Sequence, residues 1–398
     1  MTTWLSMRAS EAEQAGMLRI EDGNHGEYRP RPDEFVSDGV AYIRAADMAN
    51  GDINFARAGK INDAARLRIR KGIGRPRDVL LSHKGTVGRV GIAPDSAPEY
   101  VCSPQTTFWR ALDPTRLDYR YLKHFFCSPQ FVSRLDSRKN SSDMAPYVSL
   151  TEQRRLLLTI PPIEVQQEIC DILGSIDGKI TANGKLIETA DSLAKAKFSH
   201  MMADSEAMPL TDVARFVNGK AFTKDASGTG RVVVRIAELN SGLGGSTVYN
   251  DIEVADQHLA RPGDLLFAWS GSLTLHRWFR PEAIVNQHIF KVIPQRGFPI
   301  WCAYGLISRK LDEFKAVAAD KATTMGHIQR RHLEELVDVP TRAVMESNDD
   351  EMTTLWNRAL LAEQESLTLG SLRDALLPEL MAGRIRVKDA EMTVEEVL

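Results

Sequence analysis

The stretch RPRDVLLSHKGTVG (75–88) is matched without a gap by RPGDLLFAWSGSLT (261–274) at an offset of 186. Arg75/Arg261, Pro76/Pro262, Asp78/Asp264, Leu80/Leu266 and Gly85/Gly271 pair in this alignment. Each copy reads as a turn, a buried strand (79–81; 265–267) and a glycine-containing loop. Upstream, YIRAADMANG (42–51) and VVRIAELNSG (233–242) match loosely at an offset of 191, so the connection between the two motifs differs by five residues. Downstream, LLLTIPP (156–162) and ELVDVP (335–340) precede long helical patterns. A repeat of this period makes the chain two similar units, each followed by a helix. The predicted class is α+β: two similar mixed α/β domains in a pseudo-two-fold repeat, joined by two long helices packed as an antiparallel coiled coil. The predicted boundaries are 1–160, 161–205, 206–341 and 342–398.

The first long helix is expected to start after Pro161-Pro162, because proline suits the first helical turn and Glu164 and Glu168 suit its positive end. Val165, Ile169, Ile172, Ile176, Ile180, Ile187, Ala190, Ala194 and Phe198 recur at steps of three and four, with Asn183 in the one gap. The second helix is expected from about Asp350 to Met381, through Met352, Leu355, Ala359, Ala362, Leu369, Leu376 and Leu380, with Gly383 as its stop. Gly174, Gly178 and Gly184 each cost about 1 kcal/mol, and Pro378 removes a donor, so interrupted helices are expected. A single apolar stripe on helices roughly 45–55 Å long needs a partner helix, which makes them a spacer.

The 398 residues, 43% of them hydrophobic and 26% charged, suit two or three globular domains and exclude a fibrous or wholly disordered chain. Cys102, Cys127, Cys170 and Cys302 have no paired spacing, which fits a reducing compartment without a disulfide framework or finger-type zinc site. No run approaches ~20 apolar residues and the first residues lack a secretory pattern, so a cytoplasmic, non-membrane protein is expected. The overall charge of −3 hides an alternation: +5 over 1–160, −3 over 161–205, +1 over 206–341 and −6 over 342–398. Between residues 60 and 90, nine cations (Lys60, Arg66, Arg68, Arg70, Lys71, Arg75, Arg77, Lys84 and Arg89) face only Asp63 and Asp78. Both a solvated surface and a phosphate-facing patch fit that count.

Catalytic patterns are missing. No P-loop, GxGxxG, HExxH or GxSxG occurs. SPQF (128–131) departs from the amino-methyltransferase motif at Gln130, and EFK (313–315) lies in a helical pattern rather than after a nuclease strand. His200, His258 and His332 are expected on surfaces, and neither a metal site nor a covalent nucleophile is indicated.

Candidate DNA-contacting residues sit in three loops. EDGNHGEYRPRP (21–32) offers Asn24, His25, Tyr28, Arg29 and Arg31, with Gly23 and Gly26 for unusual backbone angles; a base-reading loop and a solvated loop both fit. Arg68 and Arg70 lie in the cationic window, and Lys84 and Arg89 flank Gly85 and Gly88, where bare backbone can approach a phosphate or simply close a hairpin. AWSGSLTLHRWFR (268–280) offers Trp269, His276, Arg277, Trp278 and Arg280, as a stacking surface or a core corner.

DGNHGEY, the paired RPRDVLLSHKGTVGRVGIAP and RPGDLLFAWSGS segments, the 161–198 helix and LRDALLPELMAGRIRV (372–387) together resemble the specificity subunits of type I restriction–modification systems over essentially the full length. The resemblance implies a non-catalytic, sequence-specific DNA-binding subunit, each domain reading one half of a bipartite, asymmetric site in double-stranded DNA. It also implies that the helices fix the gap and dock two modification (methyltransferase) subunits. Those subunits would bind S-adenosylmethionine and methylate adenine, and a motor-endonuclease restriction subunit would join them. Ile169, Ile172, Ile176, Ile180, Ile187, Phe198, Leu355, Leu369, Leu376 and Leu380 become the coiled-coil and partner interface. The chain departs from the pattern at VPTRAVMESNDDEM, where the first repeat has IPPIEVQQEI, and in its glycine-rich first helix. A self-contained DNA methyltransferase and a coiled-coil scaffold with two non-DNA modules are the alternatives.

Overall fold

The computed structural model describes residues 4–49, 51–139, 145–319 and 326–397. It divides into two compact units, 1–177 with 371–398, and 178–370. Each unit therefore takes one domain and a part of each long helix.

In the first unit a six-stranded sheet runs in the spatial order Leu18–Asp22, Thr106–Ala111, Val79–Ser82, Val90–Ile92, Gly51–Ile53, Met48–Ala49. A second sheet orders Phe35–Val36, Gly59–Ile61, Val40–Ile43, Tyr100–Cys102 and Ile73–Gly74, with Val40–Ile43 and Tyr100–Cys102 parallel. The second unit keeps four strands of each sheet and lacks the strands at one end, the counterparts of Gly51–Ile53 and Met48–Ala49 in the first sheet and of Phe35–Val36 in the second. Its first sheet is Ala214–Asn218, Ile289–Pro294, Leu265–Ala268, Thr274–Arg277, and its second is Val248–Asn250, Arg231–Val234, Ala283–Val285, Leu259–Ala260. Arg231–Val234 and Ala283–Val285 again form the parallel pair. In both units an antiparallel two-stranded ribbon, Leu5–Arg8 with Leu157–Ile160 and Ser205–Pro209 with Leu336–Pro340, leads into the long helix.

The repeat holds at the level of single hydrogen bonds. The N–H groups of Arg75 and Arg261 donate to the carboxylates of Asp78 and Asp264 at 2.7 and 2.6 Å, closing the same turn before the same central strand. In the loosely matched motif, Arg44 N–H donates to Asp47 Oδ2 and Arg235 N–H to Glu238 Oε2, and both carboxylates are buried. These short helices begin by the same reciprocal cap, one with Asp and the other with the longer Glu.

The first long helix is Ile163–Met201 and the second Arg342–Met381, 39 and 40 residues, or about 60 Å each. Both run without a break, contrary to the expected interruption. A Cβ at Gly174, Gly178 or Gly184 would meet nothing, so these glycines lower helix propensity without opening a defect. Buried seam residues outweigh that loss, and Pro378 lies within the last turn before the stop at Gly383, whose φ is +64°. The second helix starts at Arg342, not near Asp350: Met345 N–H bonds back to Thr341 C=O, so TRAVME enters helix at the place corresponding to IPPIEV.

The packing is antiparallel within each unit. In the second, Lys179 and Asn183 both reach Glu365 (3.3 and 2.7 Å), while Lys197 reaches Glu351 (2.6 Å). In the first, Asp177 meets Arg373 at 3.2 Å. Ile169, Ile172, Ile176 and Phe198 are buried on the first helix and Leu369, Leu376 and Leu380 on the second, whereas Ile180, Ile187 and Leu355 are half-buried. Trp356, absent from the expected stripe, is buried on the second helix.

Candidate nucleic-acid interface

The cationic window is less positive in space than in sequence. Lys60 pairs with Asp38, Arg66 with Glu99, Arg68 with Glu34 and Arg77 with Asp95, all carboxylates from outside residues 60–90. Arg70, Lys71, Arg75 and Lys84 are exposed and form no ion pair among the described residues. Arg89 is exposed and donates to Ala45 C=O at 3.0 Å. Arg70, Lys84 and Arg89 thus remain accessible cations. Arg68 is a strut: it grips Glu34 with two bonds of 2.6 and 2.7 Å and donates to Arg29 C=O, fixing the 21–34 loop. Hydrogen bonds from Arg68 and the Arg31 N–H hold the Glu34 carboxyl down at about 2.

Within that loop Arg29 and His25 are exposed, but Asn24 is buried, its Nδ2 near Lys71 C=O and its Oδ1 without a partner among the described residues. Gly26 has φ +72°, as expected. Gly23 serves another purpose: a Cβ there would lie 1.9 Å from Ser103 C=O. Gly219 has the same constraint, with Asn286 C=O at 2.1 Å.

In the second domain Arg277 is not a free cation. Its guanidinium is buried between Glu363 (2.9 Å) and Asp191 (3.3 Å) and lies over Trp356 at 4.7 Å, so it ties the sheet to the long helices. Trp278 is core, its Nε1–H donating to Pro281 C=O. His276 is half-buried with Nε2 unpartnered among the described residues, and burial lowers its pKa. Arg280 is half-buried over Phe279. Of the three histidines expected on surfaces, His200 is exposed but His258 and His332 are buried: His258 packs on Phe222 and His332 accepts from Gln329 N–H. Ser128 caps the helix Pro129–Asp136, Phe131 is core and Gln130 donates to Pro378 C=O; SPQF is therefore a docking element.

Superposing the two hydrogen-bond patterns reveals equivalent side-chain clusters that the sequence analysis did not assemble. His83 N–H bonds to Gln105 C=O and its C=O accepts from Val148 N–H; Trp269 does the same with His288 and Ile328. Gly85 N–H donates to Pro146 C=O and Gly271 N–H to Gly326 C=O, so Tyr147 and His327 correspond. Gly23 N–H donates to Thr106 C=O and Gly219 N–H to Ile289 C=O, so Asp22 and Asn218 correspond. In the first domain Asp22 therefore stands between His25 (2.7 Å) and His83 (3.4 Å), with Tyr147 packed on His83 at 5.4 Å. In the second, Asn218 Oδ1 accepts from Trp269 Nε1–H at 2.8 Å, and Trp269 packs on His288 (5.3 Å) and His327 (6.1 Å). Burial works to raise the Asp22 pKa, but the His83 and His25 contacts outweigh it and lower it. The signal for these residues was present as D-G (22–23) and N-G (218–219), and as His83 and Trp269 at one position of the gap-free repeat. Among the described residues no cluster of His, Cys, Asp or Glu is suited to a metal, and no helix is long and apolar enough to cross a membrane.

Residues 31–190 match the family model described as "Type I restriction modification DNA specificity domain". That segment belongs to this family, and the resemblance read from the sequence is borne out there. The chain shares its fold with the type I restriction–modification S subunit of M. genitalium, at a TM-score of 0.63 and 13% identity over 95% of this chain and 96% of that one. It also aligns with the HsdS subunit of Thermoanaerobacter tengcongensis (TM-score 0.38, 16% identity, 96% and 97% covered). A structure described as the basis of complex assembly and conformational transition of the type I R-M system aligns at TM-score 0.41 and 14% identity, covering 96% and 98%. No curated protein matches the chain.

Proposed function

We propose that this chain is the DNA-recognition subunit of a type I restriction–modification complex and performs no bond-making itself. Each domain reads one half of an asymmetric, bipartite duplex site, and the long helices set the gap and dock two adenine-methyltransferase subunits. S-adenosylmethionine belongs to those partners, and a motor-endonuclease subunit completes the restriction complex in the cytoplasm. The observation that carries the reading is the pair of equivalent clusters. One backbone frame presents Asp22, His83 and Tyr147 in the first domain and Asn218, Trp269 and His327 in the second. Two readers of different sequences need a constant frame and variable tips.

Half-sites about one duplex turn apart, ~34 Å, present the same face. Helices of about 60 Å are long enough to span that distance. Joining two weak readers makes the second contact intramolecular, which raises affinity without new contacts. The test is to co-express the chain with its modification subunit and sequence the methylated adenines. A single split motif is expected, and the isolated chain should neither bind S-adenosylmethionine nor methylate. Methyl transfer by the isolated chain, or a selected pool without a split motif, would overturn the reading. Inserting four residues, about one helical turn, beside Asn183 should lengthen the unspecified gap and leave both half-sites unchanged.

A further inference from the structure

Among the described residues, three of the eight buried polar atoms without a hydrogen-bond partner lie at the two equivalent clusters with no charged neighbour to serve them: Asn24 Oδ1 in the first domain, and Ser270 Oγ and His288 Nδ1 in the second. Asn24 and Ser270 are at most 3% exposed. Folding does not ordinarily leave such groups dry and unpaired, because each forfeits about 1–3 kcal/mol of hydration. The atoms of Asn24 and Ser270 belong to residues directly beside the loop glycines or next to Trp269, so each set borders an accessible side chain: Asp22 in one domain, Asn218 in the other.

The two accessible side chains have opposite hydrogen-bonding character. Asp22 is a carboxylate held ionised by its imidazole neighbours, and it can only accept. Asn218 has its oxygen occupied, because the indole Nε1–H of Trp269 can only donate and lies 2.8 Å from Oδ1. That bond fixes which end of the amide is the oxygen and leaves Nδ2 of this exposed residue as a donor with no partner among the described residues.

We infer that the two positions are base-reading sites of opposite polarity. Asp22 accepts from an exocyclic amino group, adenine N6 or cytosine N4, in one half-site, and Asn218 donates to guanine O6 or N7 or thymine O4 in the other. This inference rests on the proposed function and names the base chemistry that it leaves open. A carboxylate beside duplex DNA is repelled by the phosphates and by every base-edge acceptor. Asp22 therefore tolerates only a base that offers a donor, which rejects guanine and thymine at that position.

The complex with its modification subunit provides the test, with random duplexes selected by the wild type, Asp22→Asn and Asn218→Asp. The expected result is a changed base preference at one position of one half-site for Asp22→Asn, with at least a tenfold loss on the original duplex. Asn218→Asp should do the same in the other half-site, and the gap should stay constant in both. A second measurement keeps the wild-type protein and deletes single amino groups from the DNA, using purine riboside for adenine or 2-pyrimidinone for cytosine. One position in the half-site read by the first domain should lose at least tenfold. Unchanged preferences in both variants, or a loss spread evenly over all sequences, would overturn the inference while leaving a split motif intact. Failure of the wild-type complex to select any split motif would instead overturn the proposed function.

Discussion

Each domain holds on to the long helices with one cation, but the charge triads the two cations enter have inverted composition. In the first unit one helix carboxylate, Asp177, lies between two cations, Lys123 of the domain (3.1 Å) and Arg373 of the second helix (3.2 Å). In the second unit one domain cation, Arg277, lies between two helix carboxylates, Asp191 and Glu363. Each arrangement neutralises a charge, half-buried in the first unit and buried in the second, with two opposite ones, and each favours one register of the helices, the one that offers the partner. The difference lies in the helices: the first segment pairs a carboxylate with a cation of its own, Asp177 with Arg373, whereas the second presents two carboxylates, Asp191 and Glu363, to one domain guanidinium.

Removing the central charge of the second junction should have the largest effect. Arg277→Ala leaves two carboxylates facing one another with a vacated aromatic face on Trp356, and breaking a buried pair costs about 3–5 kcal/mol. Asp191 is 37% exposed, so the expected loss is at the lower end, about 3 kcal/mol, read by thermal or denaturant unfolding of the 178–370 unit. An unchanged midpoint would show that the helices there are held by apolar packing alone. Asp177→Asn keeps shape and removes charge from between two cations; a loss of roughly 1–3 kcal/mol in the first unit is expected, with the second unit's hydrogen exchange unaffected.

Acid should loosen the first unit through one buried imidazole. His124 is buried beside Lys123, with Asp177, Arg373 and Arg120 also acting on it; burial first, then the Lys123 charge, push its pKa down to about 4. The folded state then refuses a proton that the unfolded chain takes up near pH 6.5, so stability of the first unit falls as pH drops from about 6.5 toward 4. Asp177, lowered by Lys123, His124 and Arg373 against the effect of burial, adds stability that is lost only at still lower pH. Glu363 is raised, by burial against the pull of Arg277, so its contribution is present at low pH and lost as pH rises through its folded value. Between pH 7 and 5, amide protection relative to the intrinsic exchange rate should fall in the first unit, and His124→Leu should remove that fall; His258 and His276, also lowered by burial, give the second unit an acid response that His124→Leu leaves unchanged. An undiminished fall in the first unit of the His124→Leu variant would place its acid sensitivity elsewhere.

Local signals carried the architecture further than the site. The D-V-L-L and D-L-L-F strands, the glycine loops and the seam isoleucines are set by residues a few positions apart, and each has a period or a turn that sequence displays. What failed depends on distance along the chain. Arg277 read as a surface cation because Asp191 and Glu363 lie 86 residues to either side. The 60–90 window read as uniformly basic because Asp38, Glu34, Asp95 and Glu99 lie outside it. The glycines read as helix breakers because propensity is counted per residue, whereas a seam along 39 residues is stabilised collectively. The Asp22–His83–Tyr147 cluster was hidden by loops of unequal length, which shift the alignment with Asn218, Trp269 and His327 at each connection.

The smallest expected effect separates a phosphate contact from a base contact within the repeat itself. Lys84 bridges to Tyr147 and Ser270 to His327, so one position carries an exposed ammonium in the first domain and a buried hydroxyl in the second. An ammonium that displaces a counterion from DNA contributes to every sequence alike. Lys84→Ala should therefore weaken binding to specific and random duplexes by a similar factor and reduce the logarithmic salt slope by about one. Ser270→Ala should leave the slope unchanged, because no counterion is released at a neutral group. A Lys84→Ala loss confined to one base position would make Lys84 a base reader, and the two domains would then differ in which loop reads as well as in what it reads.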